Sequence, residues 1–358
     1  MTIYLDYQAT TPLAPEALAA MRPWLEDKFA NPHSSHKLGR EAAAAVEVAR
    51  EQILQVCPPG RLYFTAGATE AANWALKGSG RRRIVTMATE HACVLDTLEW
   101  LSARGHDVEI LPVGADGLVD LDRLRAAVGD ETGLVAAMLV NNEIGVIQPV
   151  AQIARIAHDG GALFFCDAVQ GFGRVPIPPG ACDMIALSAH KIHGPKGIGA
   201  LWVRDGIALE PLLHGGGQEG GLRSGTLSPA LCAGFGAAAA LLGPDDHDHV
   251  ERLWTIARAT MRDWTLNGSD ERRYHGNLNL RRAGIDAARL ISEVRGVAFS
   301  AGSACASGSG RPSHVLAALG LDRKAAASSI RLGFGRYTTE EELRAALGLI
   351  DEAAARQL

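Results

Sequence analysis

Between residues 61 and 204 the chain alternates short apolar runs with amphipathic stretches, and this rhythm limits its fold more than any other feature. Runs at 62–65, 84–87, 108–113, 134–140, 163–167, 184–188 and 200–203 have strand length. Between most of them lie segments such as 92–103, 120–128 and 150–158, whose apolar residues follow helical spacing. Strands alternating with helices predict α/β architecture: a mainly parallel, seven-stranded sheet in a large domain. The connection from Ser188 to Gly199 is too short for a helical crossover, so the last strand is expected to run antiparallel. Ahead of the sheet, Leu38, Ala42, Ala45, Ala49, Ile53 and Val56 predict an outer helix over 38–56.

A length of 358 residues is long for one core and favours two domains. The run Gly243 to His249, rich in carboxylates and histidines, reads as a solvated linker or helix start rather than a metal site. This predicts a large domain over 13–245 and a smaller α+β domain built from 1–12 and 246–358. A net charge of −5 argues against direct nucleic-acid or anionic-membrane binding. The N-terminus shows no secretory pattern, and the longest apolar stretch, 230–243, is shorter than the roughly 20 residues a membrane span needs, so it predicts a packed helix. The six cysteines are dispersed without a C-x-x-C pair, which fits a reducing, cytoplasmic setting. Cys166 and Cys182 lie in apolar runs and are expected to be buried and inert.

Ligands of open α/β sheets sit at the carboxyl ends of the strands, so the residues after each run matter most. After 62–65 comes Ala66-Gly67-Ala68-Thr69-Glu70, small residues opening a helix whose free N–H groups suit a phosphate; a capped helix start explains them as well. After 84–87 comes Thr89-Glu90-His91, and after 134–140 the amides Asn141 and Asn142 with Glu143. Asp167 ends an apolar strand, where a carboxylate needs a cationic partner, and Gln170 follows one turn on. Ser188, His190 and Lys191 follow the next strand. A desolvated lysine there favours the neutral amine and Schiff-base chemistry; the plain alternative is a lysine reaching to solvent. Together, these successive strand ends offer a reactive lysine, an acid, an imidazole and an anion cradle, the set pyridoxal 5'-phosphate requires.

The chain resembles the pyridoxal-phosphate-dependent cysteine desulfurases of the NifS/IscS type, within the class V aminotransferase family. The likeness runs over nearly the whole length. It is carried by Tyr4-Leu5-Asp6-Tyr7, Asn31-Pro32, Gly67-Ala68-Thr69-Glu70, Thr89-Glu90-His91, Asn141 to Gly145, Ser188 to Gly199, Arg223-Ser224-Gly225-Thr226, Gly302-Ser303-Ala304-Cys305 and Ser328-Ser329-Ile330-Arg331. The resemblance implies the type I fold of pyridoxal-phosphate enzymes and a homodimer. It implies that Lys191 binds the cofactor covalently, Asp167 pairs with the pyridine nitrogen, and His91 stacks on the ring and moves protons. Asn142 and Gln170 would lie near the phenolic oxygen, with Asn142 also near substrate. Ala68, Thr69, Ser188 and His190 would hold the phosphate, joined by Thr226 of the opposite subunit. Arg331 would grip the carboxylate of the substrate, L-cysteine, and no metal is called for.

Cys305 names the reaction. It lies in the small-residue stretch 300–310, which reads either as a loop with an incidental thiol or as an arm carrying a nucleophile. By the resemblance it takes sulfur from L-cysteine as a persulfide, leaving L-alanine, and hands it to an acceptor protein for iron–sulfur cluster assembly or tRNA thiolation. A selenocysteine or cysteine-sulfinate lyase, another class V aminotransferase, and a non-enzymatic sulfur platform differ in how far they need Cys305. The region Tyr274 to Leu280 departs from the family pattern in being short and lacking a proline before Asn277.

Overall fold

The computed structural model describes residues 2–302 and 313–358, so Cys305 lies outside the described residues. The chain opens with a short strand, β1 (Ile3–Tyr4), and two helices, α1 (Pro15–Glu26) and α2 (Lys37–Leu54). There follow β2 (Arg61–Thr65), α3 (Ala68–Gly78), β3 (Arg83–Met87), α4 (Ala92–Ser102), β4 (Asp107–Leu111), α5 (Leu121–Ala127), β5 (Thr132–Met138), α6 (Val150–Asp159), β6 (Leu163–Asp167), β7 (Met184–Ser188) and β8 (Gly199–Val203). These strands form one seven-stranded sheet in the order β2-β8-β7-β6-β5-β3-β4. Only β8 runs against its neighbours, as the short connection before it requires.

Both faces of this sheet are covered, which is why its strands read as continuous apolar runs. Val85, Val135, Phe164 and Ile185 point into a core shared with α2, α6 and α7 (Pro229–Ala240). Their sequence neighbours Ile84, Leu134, Phe165 and Met184 enter the opposite core with Trp74 of α3 and Leu98 of α4. In α6 the buried Val150, Ile153, Ala154 and Ala157 make one stripe at helical spacing. The stretch 230–243 is the packed helix expected, and its small residues have a use. A Cβ at Gly234 would meet Met21 Cγ at 2.6 Å, and one at Gly236 would meet Ala49 Cα at 2.7 Å. Among the described residues no helix is long and apolar enough to cross a membrane.

The next helix, α8 (Asp245–Thr260), begins inside the acidic run, and Asp246 there pairs with Arg336. Beyond it β9 (Thr265–Leu266), β10 (Asn277–Arg281), β12 (Ser300–Ala301) and β13 (Ser329–Gly333) form an antiparallel sheet in the order β12-β13-β10-β9. The strand β11 (Val297–Ala298) pairs in parallel with β1. Leu278, Leu280, Ile330 and Leu332 make a separate core with Leu253, Leu343, Leu347 and the N-terminal Leu5.

Two runs end earlier than their apolar sequence implies. The strands end at Leu111 and Met138, and the apolar residues two positions on, Val113 and Val140, make isolated bridges to Val119 and Ile147. In the Arg81–Arg83 triplet, Arg83 starts β3 and forms ion pairs with Asp107 and Glu109.

Candidate active site

A cavity of about 400 Å³ opens at the carboxyl ends of β2, β3, β5, β6 and β7. Ala68, Thr69, His91, Asn142, Asp167, Gln170, Ser188, His190, Lys191 and Arg331 all line it. Thr226 does not; it is exposed, outside the cavity of its own chain.

Lys191 follows β7 at the end of a single 3₁₀ turn, Ala189–Lys191. Its Nζ donates to the backbone carbonyls of Gln8, at 2.6 Å, and Ala9, at 2.9 Å. The adjacent N-terminal segment is locked to the same turn, since Thr11 Oγ1 donates to the His190 carbonyl and accepts from the His193 N–H. His193 pays for this with φ +68°, a left-handed backbone that non-glycine residues seldom adopt.

Asp167 is 5 % exposed, and its Oδ1 accepts from the Val169 N–H at 3.0 Å. Burial raises its carboxyl above the usual range, against the opposing pull of His91, that N–H and Lys191. His91 caps α4: its Nδ1 accepts from the Cys93 N–H at 3.1 Å, so the neutral ring carries its proton on Nε2. Burial lowers the His91 imidazole, with Asp167 acting in the opposite direction. The His190 ring is pushed down to about 4 by burial, helped by Lys191 and Lys196, and is therefore neutral at pH 7.

The anion cradle is the N-terminus of α3. Its cap, Gly67, has no side chain to satisfy the first N–H groups, and a Cβ there would meet nothing within 4 Å. Just upstream, Glu70 accepts from the Ala66 N–H at 2.7 Å while it pairs with Arg223, which fixes the turn. Gly199, at the start of β8, backs the cradle. A Cβ on it would lie 2.5 Å from the Leu187 carbonyl oxygen and 2.7 Å from the Gly67 carbonyl carbon.

Arg331 enters from β13 and is 2 % exposed. Its Nη2 pairs with Asp6 Oδ1 at 2.8 Å and its Nη1 donates to the Asn142 carbonyl at 3.1 Å, while the buried Nε has no partner among the described residues. An unsatisfied buried donor costs about 1–3 kcal/mol, so a guanidinium held this way suits an anionic ligand.

These observations fit pyridoxal phosphate: an uncapped helix end for its phosphate, a buried carboxyl for its ring nitrogen and a lysine amine in the same cavity. Several contributors were not singled out from sequence. Asp6 and Glu70 stood inside motifs without a role assigned and Gln8 in none, because all three are used through contacts to residues far along the chain. Cys93 lines the cavity beside His91, and burial holds its thiol well above the usual range, so it stays protonated.

The profile of the aminotransferase class-V family matches residues 3–345. The cysteine desulfurase IscS of Rickettsia bellii is 45% identical, covering 98% of this chain and 90% of that protein. That of Rickettsia prowazekii is 42% identical with the same coverage. Among solved structures, a NifS-like protein superposes with a TM-score of 0.93 at 34% identity, covering 99% of this chain and 100% of the other. SspA in complex with cysteine gives a TM-score of 0.86 at 35% identity, covering 94% and 100%.

Proposed function

This chain belongs to the aminotransferase class-V family and is a pyridoxal-phosphate-dependent cysteine desulfurase, and from that premise we propose what each residue of its cavity does. The observation that carries the reading is the convergence of Lys191, Asp167, His91, the α3 cradle and Arg331 on one cavity. When bound, pyridoxal phosphate supplies the electron sink that acidifies the substrate's Cα proton and loosens its C–S bond. Ala68, Thr69, Ser188 and the neutral His190 hold its phosphate, and Lys191 holds its carbonyl carbon. Asp167 keeps the ring nitrogen protonated, while Asn142 and Gln170 face its phenolic oxygen.

L-cysteine enters with its carboxylate on Arg331, whose Nε gains the partner it lacks, and with its backbone beside Asn142. Once the substrate amine has taken its place, Lys191 Nζ would be free to remove the Cα proton, and His91 Nε2 to exchange protons in the cavity. Cys305 attacks the substrate sulfur, the C–S bond breaks, and the carbon skeleton gains a proton to leave as L-alanine. One thiol and one cysteine become one persulfide and one alanine, with no outside oxidant. The sulfur then passes to an acceptor for iron–sulfur cluster assembly or thiolation.

A homodimer belongs to the same proposal. The exposed Thr226 is tethered through Arg223 to Glu70 and is available to complete a neighbour's cradle. The two sheets and their separate cores support a large unit over 13–245 and a smaller one from 1–12 and 246–358. A cytoplasmic location follows from the same reading.

The test is direct. Cys305→Ala retains the visible absorbance of bound cofactor and loses persulfide formation from cysteine; full desulfurase activity with a physiological acceptor would overturn the assignment. Lys191→Ala abolishes turnover.

A further inference from the structure

Lys191 also lines a second small cavity of about 50 Å³, which it shares with Arg174, His193, Tyr274 and Arg336. Arg174 does not line the main cavity, yet its guanidinium reaches two residues that do. One arm, Nη1, donates to Gln170 Oε1 at 2.8 Å; the other, Nη2, donates to the Lys191 backbone carbonyl. Gln170 Nε2 in turn donates to the Gln8 carbonyl at 2.9 Å, the same oxygen that accepts from Lys191 Nζ at 2.6 Å. Arg174, Gln170, Gln8 and Lys191 therefore close a ring of hydrogen bonds, steadied by the Arg174 guanidinium 5.3 Å over the Tyr274 ring.

The chemistry of the ring is directional. A guanidinium has donors and no acceptor, so the Gln170 amide must turn its oxygen to Arg174 and its NH₂ toward Gln8 and the cavity. One of those two N–H bonds goes to Gln8; the other is oriented for an acceptor in the cavity. Without Arg174 only the Gln8 contact would oppose a flip that presents the amide oxygen, which repels an anionic acceptor. The second arm acts on Lys191. Its Nζ must leave the carbonyls of Gln8 and Ala9 to reach the cofactor, and the grip on its own carbonyl lets the side chain swing without moving the backbone.

We propose that Arg174 is a positioning residue that fixes Gln170 as an N–H donor and pins the Lys191 backbone, so that it sets the electronic state of bound pyridoxal phosphate from outside the cofactor cavity. This rests on the reading that Gln170 faces the phenolic oxygen.

The experiment is a pH titration of the visible absorbance of the holoenzyme, with Arg174→Leu, Arg174→Lys, Gln170→Leu and the Arg174→Leu/Gln170→Leu double variant. A donor to the phenolic oxygen favours its anionic form. Losing the donor should raise the titration midpoint by about one pH unit in each single leucine variant. Because Arg174 acts through Gln170, the double variant should rise no further than Gln170→Leu alone. Arg174→Lys, which keeps a charged donor but loses the planar fork that holds Gln170 and the Lys191 carbonyl in fixed geometry, should fall between, and it carries the test if the leucine variant does not fold. A merely structural role, or the loss of one positive charge acting at a distance, gives additive shifts in the double variant and overturns the proposal. A shifted Gln170→Leu beside an unshifted Arg174→Leu overturns it too, while leaving the Gln170 reading intact. An unshifted Gln170→Leu removes the Gln170 reading and the proposal with it.

Discussion

Replacing Gly199 with alanine should loosen the phosphate end of the cofactor site and spare the carbonyl end. The new Cβ would sit 2.5 Å from the Leu187 oxygen and 2.7 and 2.8 Å from the carbonyl carbon and Cα of Gly67, where ordinary contact begins at 3.4 Å. Leu187 is held in β7 and paired in register with Ala200 of β8, so the movement falls on Gly67. A retreat of roughly 0.7 Å lengthens a cradle hydrogen bond from about 2.9 Å to about 3.6 Å, beyond the useful range. One or two such charge-assisted bonds, at about 1.5–3 kcal/mol each, amount to about 3 kcal/mol, or roughly a hundredfold in affinity. Overpacking the turn should also cost about 1–3 kcal/mol of stability. The assay is equilibrium dialysis of apoprotein against pyridoxal phosphate and, separately, pyridoxal. The dissociation constant should rise steeply for the first ligand and within about threefold for the second, since only one carries the anion. Equal changes for both, or none for either, would refute the reasoning. Gly67→Ala is the control: its Cβ meets nothing and its backbone is extended, so unfolding should stay within about 0.5 kcal/mol of the parent.

Cys93→Ala should leave persulfide formation unchanged, because burial keeps that thiol protonated and a thiol is a poor nucleophile; a severalfold loss in alanine release would show otherwise. His193 is pushed down to about 4 by burial, against an ordinary 6.5, so the unfolded chain takes its proton first. The stability present above pH 6.5 is therefore lost as pH falls toward 4. His193→Asn, which tolerates the left-handed backbone, should flatten that decline in urea unfolding compared at pH 7 and pH 5, while His190 and His91, both lowered by burial, still contribute slope. An unchanged slope would contradict the role given to burial.

The large sheet was legible because its strands are buried on both faces and cannot hide that in polar alternation. The reversal of β8 followed from chain length alone. The strand-end residues Lys191, Asp167 and His91 were legible for the same reason: a polar group that ends an apolar run needs a purpose. The smaller sheet was not. Its central strands, β10 and β13, are short and lie far apart in sequence, and nothing local tells them to pair. The restraints on the site were hidden likewise. Asp6 meets Arg331 across most of the chain and Gln8 meets Lys191 across about half of it, and spacing rules do not reach that far. Arg174 carries no signal in spacing, because its part is played through contacts to Gln170 and the Lys191 carbonyl.

The N-terminal segment sets a timetable. Its first residues emerge from the ribosome long before their partners exist: β1 waits for Val297 and Ala298, the Leu5 carbonyl waits for the Gly333 N–H, and Asp6 waits for Arg331. Domains tend to fold as they are synthesised, and loops this long are slow to close. A nascent chain that has already built the large sheet still lacks the arginine proposed to grip substrate and the strand that anchors residues 5–9 beneath Lys191. Cofactor capture can begin on the growing polypeptide, but the ability to tell cysteine from other amines arrives with its last few dozen residues.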